Sequence, residues 1–237
     1  MPFIYAALEA QDQPQLLSAA LGVLSDVIRA VGEQIAPHCD QIVRYLFADV
    51  ESATVSRMVK PSILAVLGEI ALAIGAAFES YLPVVMQLLQ QAATLGNGAS
   101  RGASGFEMLD YLDSLNEGIL EAYSGIILGL KGAGKAAALA PYMQSLFGFL
   151  SLLHTDPDKS EDTLKSMVGI IGYKSFMALS LISRDVAEAF PNGELREFFH
   201  KDWIMECLKQ ARSRTVYRAQ TRETARWARE MVKAQLS

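Results

Sequence analysis

Two cysteines and three histidines among 237 residues leave little for covalent or metal chemistry to work with. Cys39 and Cys207 are too few for a disulfide framework, and neither stands at metal-ligand spacing from His38, His154 or His200. A reducing compartment is the simplest reading, and neither a metal nor a cofactor is expected. No Gly-x-Ser-x-Gly elbow is present, which removes the commonest serine-nucleophile signature. Long hydrophobic runs are also scarce: the longest, Ile63 to Phe78, is interrupted by Glu69 and falls short of the ~20 residues that span a bilayer. The N-terminus lacks the charged start, apolar centre and cleavage site of a secretory leader. Strand-like alternation bounded by turns is missing as well, so a β-sheet has no visible source.

Positive charge is scarce everywhere but the end. Residues 201–237 hold nine Lys/Arg against four Asp/Glu, whereas residues 1–200 hold 12 against 22, so the net charge of −5 hides an acidic body and a basic tail. Phosphate backbones demand a cationic surface, so nucleic acid is disfavoured as the main ligand and basic protein segments are favoured. What is abundant is apolar residues, 51% against 20% charged, the balance of a folded chain.

Those apolar residues recur at helical spacing. Leu16, Leu17, Ala20, Leu21, Leu24, Val27, Ile28 and Val31 mark one face that ends at Gly32, which predicts a helix over 14–31. Pro37 opens a second helix, where its fixed ring angle is tolerated, and Ile42, Val43, Leu46 and Phe47 repeat the spacing. The pattern then recurs: Leu24 to Gly32 overlays Leu67 to Gly75 at an offset of 43 residues, Asp26 falling on Glu69. A third copy stands at Arg184 to Phe190, followed by Pro191-Asn192-Gly193 and a helix from Glu194. A period of roughly 40–47 residues with two helices per unit belongs to HEAT or armadillo repeats, whose units stack because one helix pair cannot bury its own apolar face. The expected fold is all-α, an α-α superhelix of the HEAT-repeat solenoid type. A single array over 1–237 divides into a truncated helix at 1–10, repeats at about 14–53, 56–96, 105–154 and 160–211, and a basic, largely polar capping helix at 215–236. Phe3 to Leu8 read as the end of a helix begun elsewhere, so the chain is expected to be a fragment. By composition 97–105 is a flexible loop, followed by a long helix from about 107 to 130, a turn at 132–135 and a partner helix over 142–153.

Two motifs invite chemistry. Gly129-Leu130-Lys131-Gly132-Ala133-Gly134-Lys135-Ala136 nearly spells a phosphate-binding loop, but Ala136 stands where a hydroxyl should hold magnesium, and the preceding Ile126-Ile127-Leu128 end a helix. A helix-to-helix turn is the better reading, and an enzyme built around Lys135 is the alternative it leaves behind. Asp110, Asp113, Glu117 and Glu121 are spaced i, i+3, i+7 and i+11, a strip of four carboxylates on one helix face. Such a strip serves either as a solvated outer face or as a dock for Lys/Arg, and one regular face gives no pair of unlike environments for acid-base catalysis. Trp203 and Trp227 read as core or cap anchors.

The chain resembles the importin-β (karyopherin-β) family of HEAT-repeat nuclear import receptors, in its C-terminal part. The likeness is carried by Val59-Lys60-Pro61-Ser62-Ile63-Leu64-Ala65-Val66-Leu67-Gly68-Glu69-Ile70-Ala71-Leu72-Ala73-Ile74-Gly75, by Leu109-Asp110-Tyr111-Leu112 through Leu120-Glu121-Ala122-Tyr123, by Gly129-Leu130-Lys131-Gly132 and by Thr224-Ala225-Arg226-Trp227-Ala228. It departs at 97–105, 132–140 and 192–203. The resemblance implies a non-enzymatic receptor that moves between cytoplasm and nucleus through the pore of the nuclear envelope. Its inner face would grip the importin-β-binding segment of importin-α or basic cargo, and its outer helices would bind Phe-Gly repeats of nucleoporins. Ran GTPase would act mainly through repeats this chain lacks, with no nucleic acid and no membrane insertion. If cargo lies against the second helices, Asp40 and Glu194 become candidates beside the strip. For Phe-Gly repeats the apolar positions on first helices, Leu17, Leu24, Ile63 and Ile70, are the candidates. A HEAT-repeat scaffold without a transport role is the alternative, distinguished by failure to bind Phe-Gly repeats.

Overall fold

Proline and glycine punctuate the helices. The computed structural model describes residues 1–98, 106–156, 159–168, 170, 201–213 and 217–236. Pro2, Pro14, Pro37 and Pro61 occupy the first turns of α1 (Pro2–Leu8), α2 (Pro14–Val31), α3 (Ala36–Glu51) and α4 (Lys60–Ile74), where a missing N–H costs nothing. Gly32 and Gly75 end α2 and α4 with φ of 55° and 53°. With ψ of −130° and −116° these are conformations that residues bearing a Cβ avoid. Each glycine opens a 3₁₀ turn, Gly32–Ile35 and Gly75–Ser80, which leads into α3 and into α5 (Leu82–Gly98). The 43-residue offset seen in the sequence therefore superposes the stop signal of one helix pair on that of the next.

Next in order come α6 (Phe106–Gly132), a 3₁₀ turn Ala136–Tyr142, α7 (Met143–Thr155), α8 (Glu161–Val168), α9 (Asp202–Ser213) and α10 (Ala219–Leu236). Every regular element among the described residues is helical. Of the segment expected to be a loop, Asn97 and Gly98 instead complete α5, since the apolar periodicity of that helix carries it over its last two residues. The rest of that segment, the third sequence copy at 184–193, Glu194 and His200 lie outside the described residues.

The chain divides into two compact units, Met1–Leu130 and Lys131–Ser237. In the first, α2 packs on α4, and α1 lies against both α2 and α3, while α3 supports α4. Leu17, Leu21, Leu24 and Ile28 of α2, Ile42 and Leu46 of α3, and Ile63, Leu67 and Ile70 of α4 are essentially inaccessible to solvent and form the core. By length and composition Lys60–Ser80 is apolar enough to cross a membrane. Most of its large apolar residues are instead buried in helix packing, Leu72 being the exposed exception.

On its other side α4 meets α6 main chain to main chain. A Cβ on Gly118 would lie 2.5 Å from the Pro61 carbonyl oxygen, one on Gly125 2.2 Å from that of Gly68, and one on Gly129 2.1 Å from that of Ala71. The approach is reciprocal, for a Cβ on Gly68 would lie 2.7 Å from the Cα of Ala122. Gly118, Ala122, Gly125 and Gly129 thus form a seam at i, i+4, i+7 and i+11 on which only small residues fit.

In the second unit α10 packs on α9 and α8, and α9 on α8 and α7. Ile204, Cys207, Leu208 and Ala211 meet Leu164, Ala225, Ala228 and Val232 in its core. Ser160 caps α8, its Oγ accepting the Thr163 N–H at 2.9 Å. The Glu161 carboxylate accepts from the Arg218 N–H at 2.7 Å and the Thr221 hydroxyl at 2.8 Å, which ties the start of α8 to the start of α10. These bonds, the one from the Arg218 backbone first, hold the Glu161 carboxyl below its usual range.

A candidate peptide cleft between first helices

A cleft of about 440 Å³ opens where α2, α4 and α6 lie side by side. Its α2 wall is Ser18, Leu21, Gly22, Ser25 and Arg29, its centre Pro61, Ser62, Ala65, Val66 and Glu69, and its α6 wall Ser114, Glu117, Gly118 and Glu121. The spacing explains why these residues share a surface. Ser18, Gly22, Ser25 and Arg29 run at i, i+4, i+7 and i+11, one strip around α2 from the buried leucines, and Ser114, Gly118 and Glu121 do the same on α6. Small side chains there leave a trough, with half-buried Ala65 at its centre and the buried Leu21, Pro61 and Val66 behind it.

One corner is cross-linked. The Ser25 hydroxyl donates to Glu69 Oε2, Arg29 Nε donates to Glu69 Oε1 at 3.2 Å, and Arg29 Nη2 donates to Ser25 Oγ at 3.0 Å. The bond to Glu69, and after it the charges of Glu69, Asp26 and Glu121, keep the Arg29 guanidinium firmly protonated. Arg29 is the cation among the described lining residues, against Glu69, Glu117 and Glu121.

The candidate residues read from sequence separate here. Glu117 and Glu121 line the cleft; Asp113 is half-buried and Asp110 exposed on the same helix, and neither reaches the lining. Leu17, Leu24, Ile63 and Ile70 are at 0% exposure. They hold α2 and α4 against the rest of the core and cannot themselves offer a side chain to a ligand, which corrects their assignment as a groove; Leu21, Pro61 and Val66 beside them are buried too, and the accessible lining includes Ser18, Gly22, Ser62 and Ala65. Ser18, Ser25, Ser62 and Ser114 were missed because hydroxyl residues beside an apolar face look like ordinary solvated positions. The available signal was their own helical spacing.

Asp40 stands apart, exposed on α3, where it accepts a hydrogen bond from the Tyr81 hydroxyl. Burial first, then that bond, pushes the Tyr81 phenol up to about 12. Along the same helix Tyr45 donates to Glu9 at 2.7 Å, and the Tyr5 hydroxyl and His38 Nδ1 are 3.1 Å apart.

The near-miss phosphate motif spans the last turn of α6 and the turn after it, where Gly134 has φ of 69° and donates its N–H to the Lys131 carbonyl at 3.0 Å. Cys39 and Cys207 are buried free thiols, raised by desolvation to about 11 and about 12. No group of three or more His, Cys, Asp or Glu among the described residues is arranged to hold a metal ion. His154 lies in the last turn of α7 with its ring against Trp203, the centroids 5.8 Å apart.

A family model described as importin subunit beta-1-like, TPR repeats, matches residues 1–212. The chain belongs to the importin-β family. Importin subunit beta-1 of Schizosaccharomyces pombe is 39% identical over 235 residues, covering 99% of this chain and 25% of the relative. That of Arabidopsis thaliana is 33% identical, covering 100% of this chain and 26% of the relative. A crystal structure of importin beta from an ammonium sulfate condition has a TM-score of 0.84 at 43% identity and covers 100% of this chain and 26% of that one. Kap95 in complex with Nup1 has a TM-score of 0.81 at 32% identity, covering 99% and 25% respectively. The chain therefore spans about a quarter of the length of these importin-β relatives. Its fold is the all-α HEAT-repeat solenoid of the family.

Proposed function

We propose that this chain is a working segment of a nuclear import receptor, and that the cleft between α2, α4 and α6 seats the Phe side chain of a nucleoporin Phe-Gly repeat. The observation that carries the reading is the cleft: a trough between three helices, lined at its accessible surface by small residues such as Gly22 and Ala65 and rimmed by serine hydroxyls. A planar aromatic ring suits such a trough, and the hydroxyls offer hydrogen bonds to the extended backbone on either side. Ordering a disordered segment costs entropy, so each contact is weak and exchange is fast, as passage through a crowded pore requires. The likeness to Kap95, whose structure with Nup1 is known, supports the same reading.

The test fills the cleft. Ser62 is exposed at its rim, so Ser62→Trp occupies the trough and leaves the core alone. Affinity for a Phe-Gly peptide is expected to fall by about tenfold or more, and unchanged affinity refutes the placement.

A second reading rests on Asp40. The carboxylate and tyrosines along α3, with Glu9 alongside, form an acidic and aromatic rim suited to the importin-β-binding segment of importin-α or to basic cargo. Asp40→Lys should weaken capture of such a segment and leave Phe-Gly binding intact. Ran is assigned mainly to repeats outside this chain, and the receptor works between cytoplasm and nucleus at the pore. No catalytic step is proposed.

A further inference from the structure

The basic end of the sequence folds into one face of one helix. Arg218 stands at the N-cap of α10, its carbonyl accepting the Arg222 N–H at 3.2 Å, and Arg222, Arg226, Arg229 and Lys233 follow inside the helix. Their spacing is i, i+4, i+8, i+11 and i+15. At 3.6 residues per turn the five side chains fall within about 80° of the helix circumference, in a stripe about 22 Å long. Arg218, Arg226 and Lys233 are exposed, and Arg222 and Arg229 are half-buried. The stripe runs beside the buried Thr221, Ala225, Ala228 and Val232, so the packing of α10 on α8 and α9 fixes where it faces.

The fold answers this charge only at the two ends. Asp162 of α8 lies 3.2 Å from the Arg218 guanidinium, and Glu230 is shared by Arg229 at 3.5 Å and Lys233 at 3.6 Å. Between them, Arg222 and Arg226 have no carboxylate partner among the described residues, and the buried Nε of Arg222 has no acceptor. Local stability favours acids in the first turn of a helix, where the dipole is positive; α10 has none there and places Arg222 instead. The N-terminal end already shows the chemistry the stripe accepts. Glu161 takes the Arg218 N–H and the Thr221 hydroxyl, and Asp162, the next residue of α8, takes the Arg218 guanidinium.

We propose that this face of α10 docks an extended acidic protein segment, whose carboxylates continue from Asp162 along Arg222, Arg226, Arg229 and Lys233. The inference is independent of the cleft, whose residues belong to the other unit. Spacing chooses the occupant. Four helical residues advance about 6 Å, and alternate residues of an extended chain, which point to the same side, are about 6.6 Å apart. Acids at every second position therefore meet successive cations, and about seven residues cover the stripe. Duplex nucleic acid presents two phosphate strands and calls for a broad cationic surface, whereas this stripe is one helix face wide and has Glu223 and Glu230 along one edge. Each exposed pair contributes about threefold at low salt, and the sum is screened as the Debye length falls.

Fluorescence anisotropy of labelled probes with the intact chain tests the proposal. One probe is a short peptide alternating Glu and Ser, long enough to cover the stripe; a second has Gln for Glu; a third is an oligothymidylate of equal charge. The Glu peptide should bind at low salt and be released as salt rises, and the Gln peptide should stay at background. Arg226→Gln, at an exposed position with no partner, should weaken the Glu peptide about threefold, and Arg222→Gln with Arg226→Gln about tenfold. Should that pair fail to fold by circular dichroism, Arg226→Glu alone carries the test with a comparable loss. Arg44→Gln, which removes an exposed cation on α3, should change nothing. Undiminished binding in the Arg226 variants, or equal binding of the Glu and Gln peptides, overturns the proposal. Tighter binding of the oligonucleotide than of the Glu peptide overturns it too, and gives the face to nucleic acid.

Discussion

Replacing Gly125 with alanine tests the seam between α4 and α6 directly. The new Cβ lands 2.2 Å from the Gly68 carbonyl oxygen, against 3.4 Å or more for ordinary contact, so the helices must separate by about 1.2 Å. The obstacle is backbone on a buried helix, so no rotamer change relieves it. Separation also loosens the neighbouring approaches of Gly118 to Pro61 and of Gly129 to Ala71. Overpacking of this kind costs about 3 kcal/mol at the upper end of its usual range. Alanine returns about 1 kcal/mol because it favours helix over glycine, so the net loss is about 2 kcal/mol. Gly22→Ala is the control: it also sits inside a helix, but nothing lies within 4 Å of its Cβ, and it should stabilise by about 0.5–1 kcal/mol. Urea unfolding followed by far-ultraviolet circular dichroism reads both. A Gly125→Ala chain as stable as the parent, with Gly22→Ala equal or worse, would refute the packing argument.

Gly75→Ala should cost about 1–3 kcal/mol through backbone strain, since φ of 53° with ψ of −116° is a glycine conformation; the same urea titration measures it. Ser160→Ala should cost about 1 kcal/mol and fray the start of α8, visible as faster amide exchange at Thr163. Desolvation first, then Lys159, lowers the His154 pKa below its usual 6.5, while Glu206 opposes the shift. The unfolded chain then binds the proton more readily than the folded one, so the stability His154 allows is full above pH 6.5 and is lost as pH falls through that value toward the lower folded pKa. Unfolding midpoints at pH 7.5 and 5.5 should differ less in His154→Phe than in the parent, and an equal difference removes His154 as the cause.

Much of the fold was legible because proline and glycine fix local backbone without help from distant residues. Pro14, Gly32, Pro61 and Gly75 announce helix ends in any context, and the apolar spacing between them names the buried face. The site was only half legible. Glu117 and Glu121 could be placed on one face of a helix, yet the partners that make that face a wall, Ser18, Ser25 and Ser62, lie 50 to 100 residues earlier in the chain. Leu17 and Ile63 show the converse. Periodicity marks them as apolar and inward, but whether inward means the core or a groove depends on how closely the neighbouring helix approaches. That distance is set by Gly68 and Gly125, glycines whose meeting no single helix reveals.

The glycine seam also divides the labour of the cleft. With main chain resting on main chain, the α6 wall is a fixed jaw whose distance from α4 no side-chain exchange in the seam can shorten. The α2 wall stands off α4 on side chains, Leu21 and Val66 beneath and the Ser25–Arg29–Glu69 clasp above, and is the jaw that can be adjusted. Any relative that grips a thicker or thinner ligand at this place has to change α2 to do so.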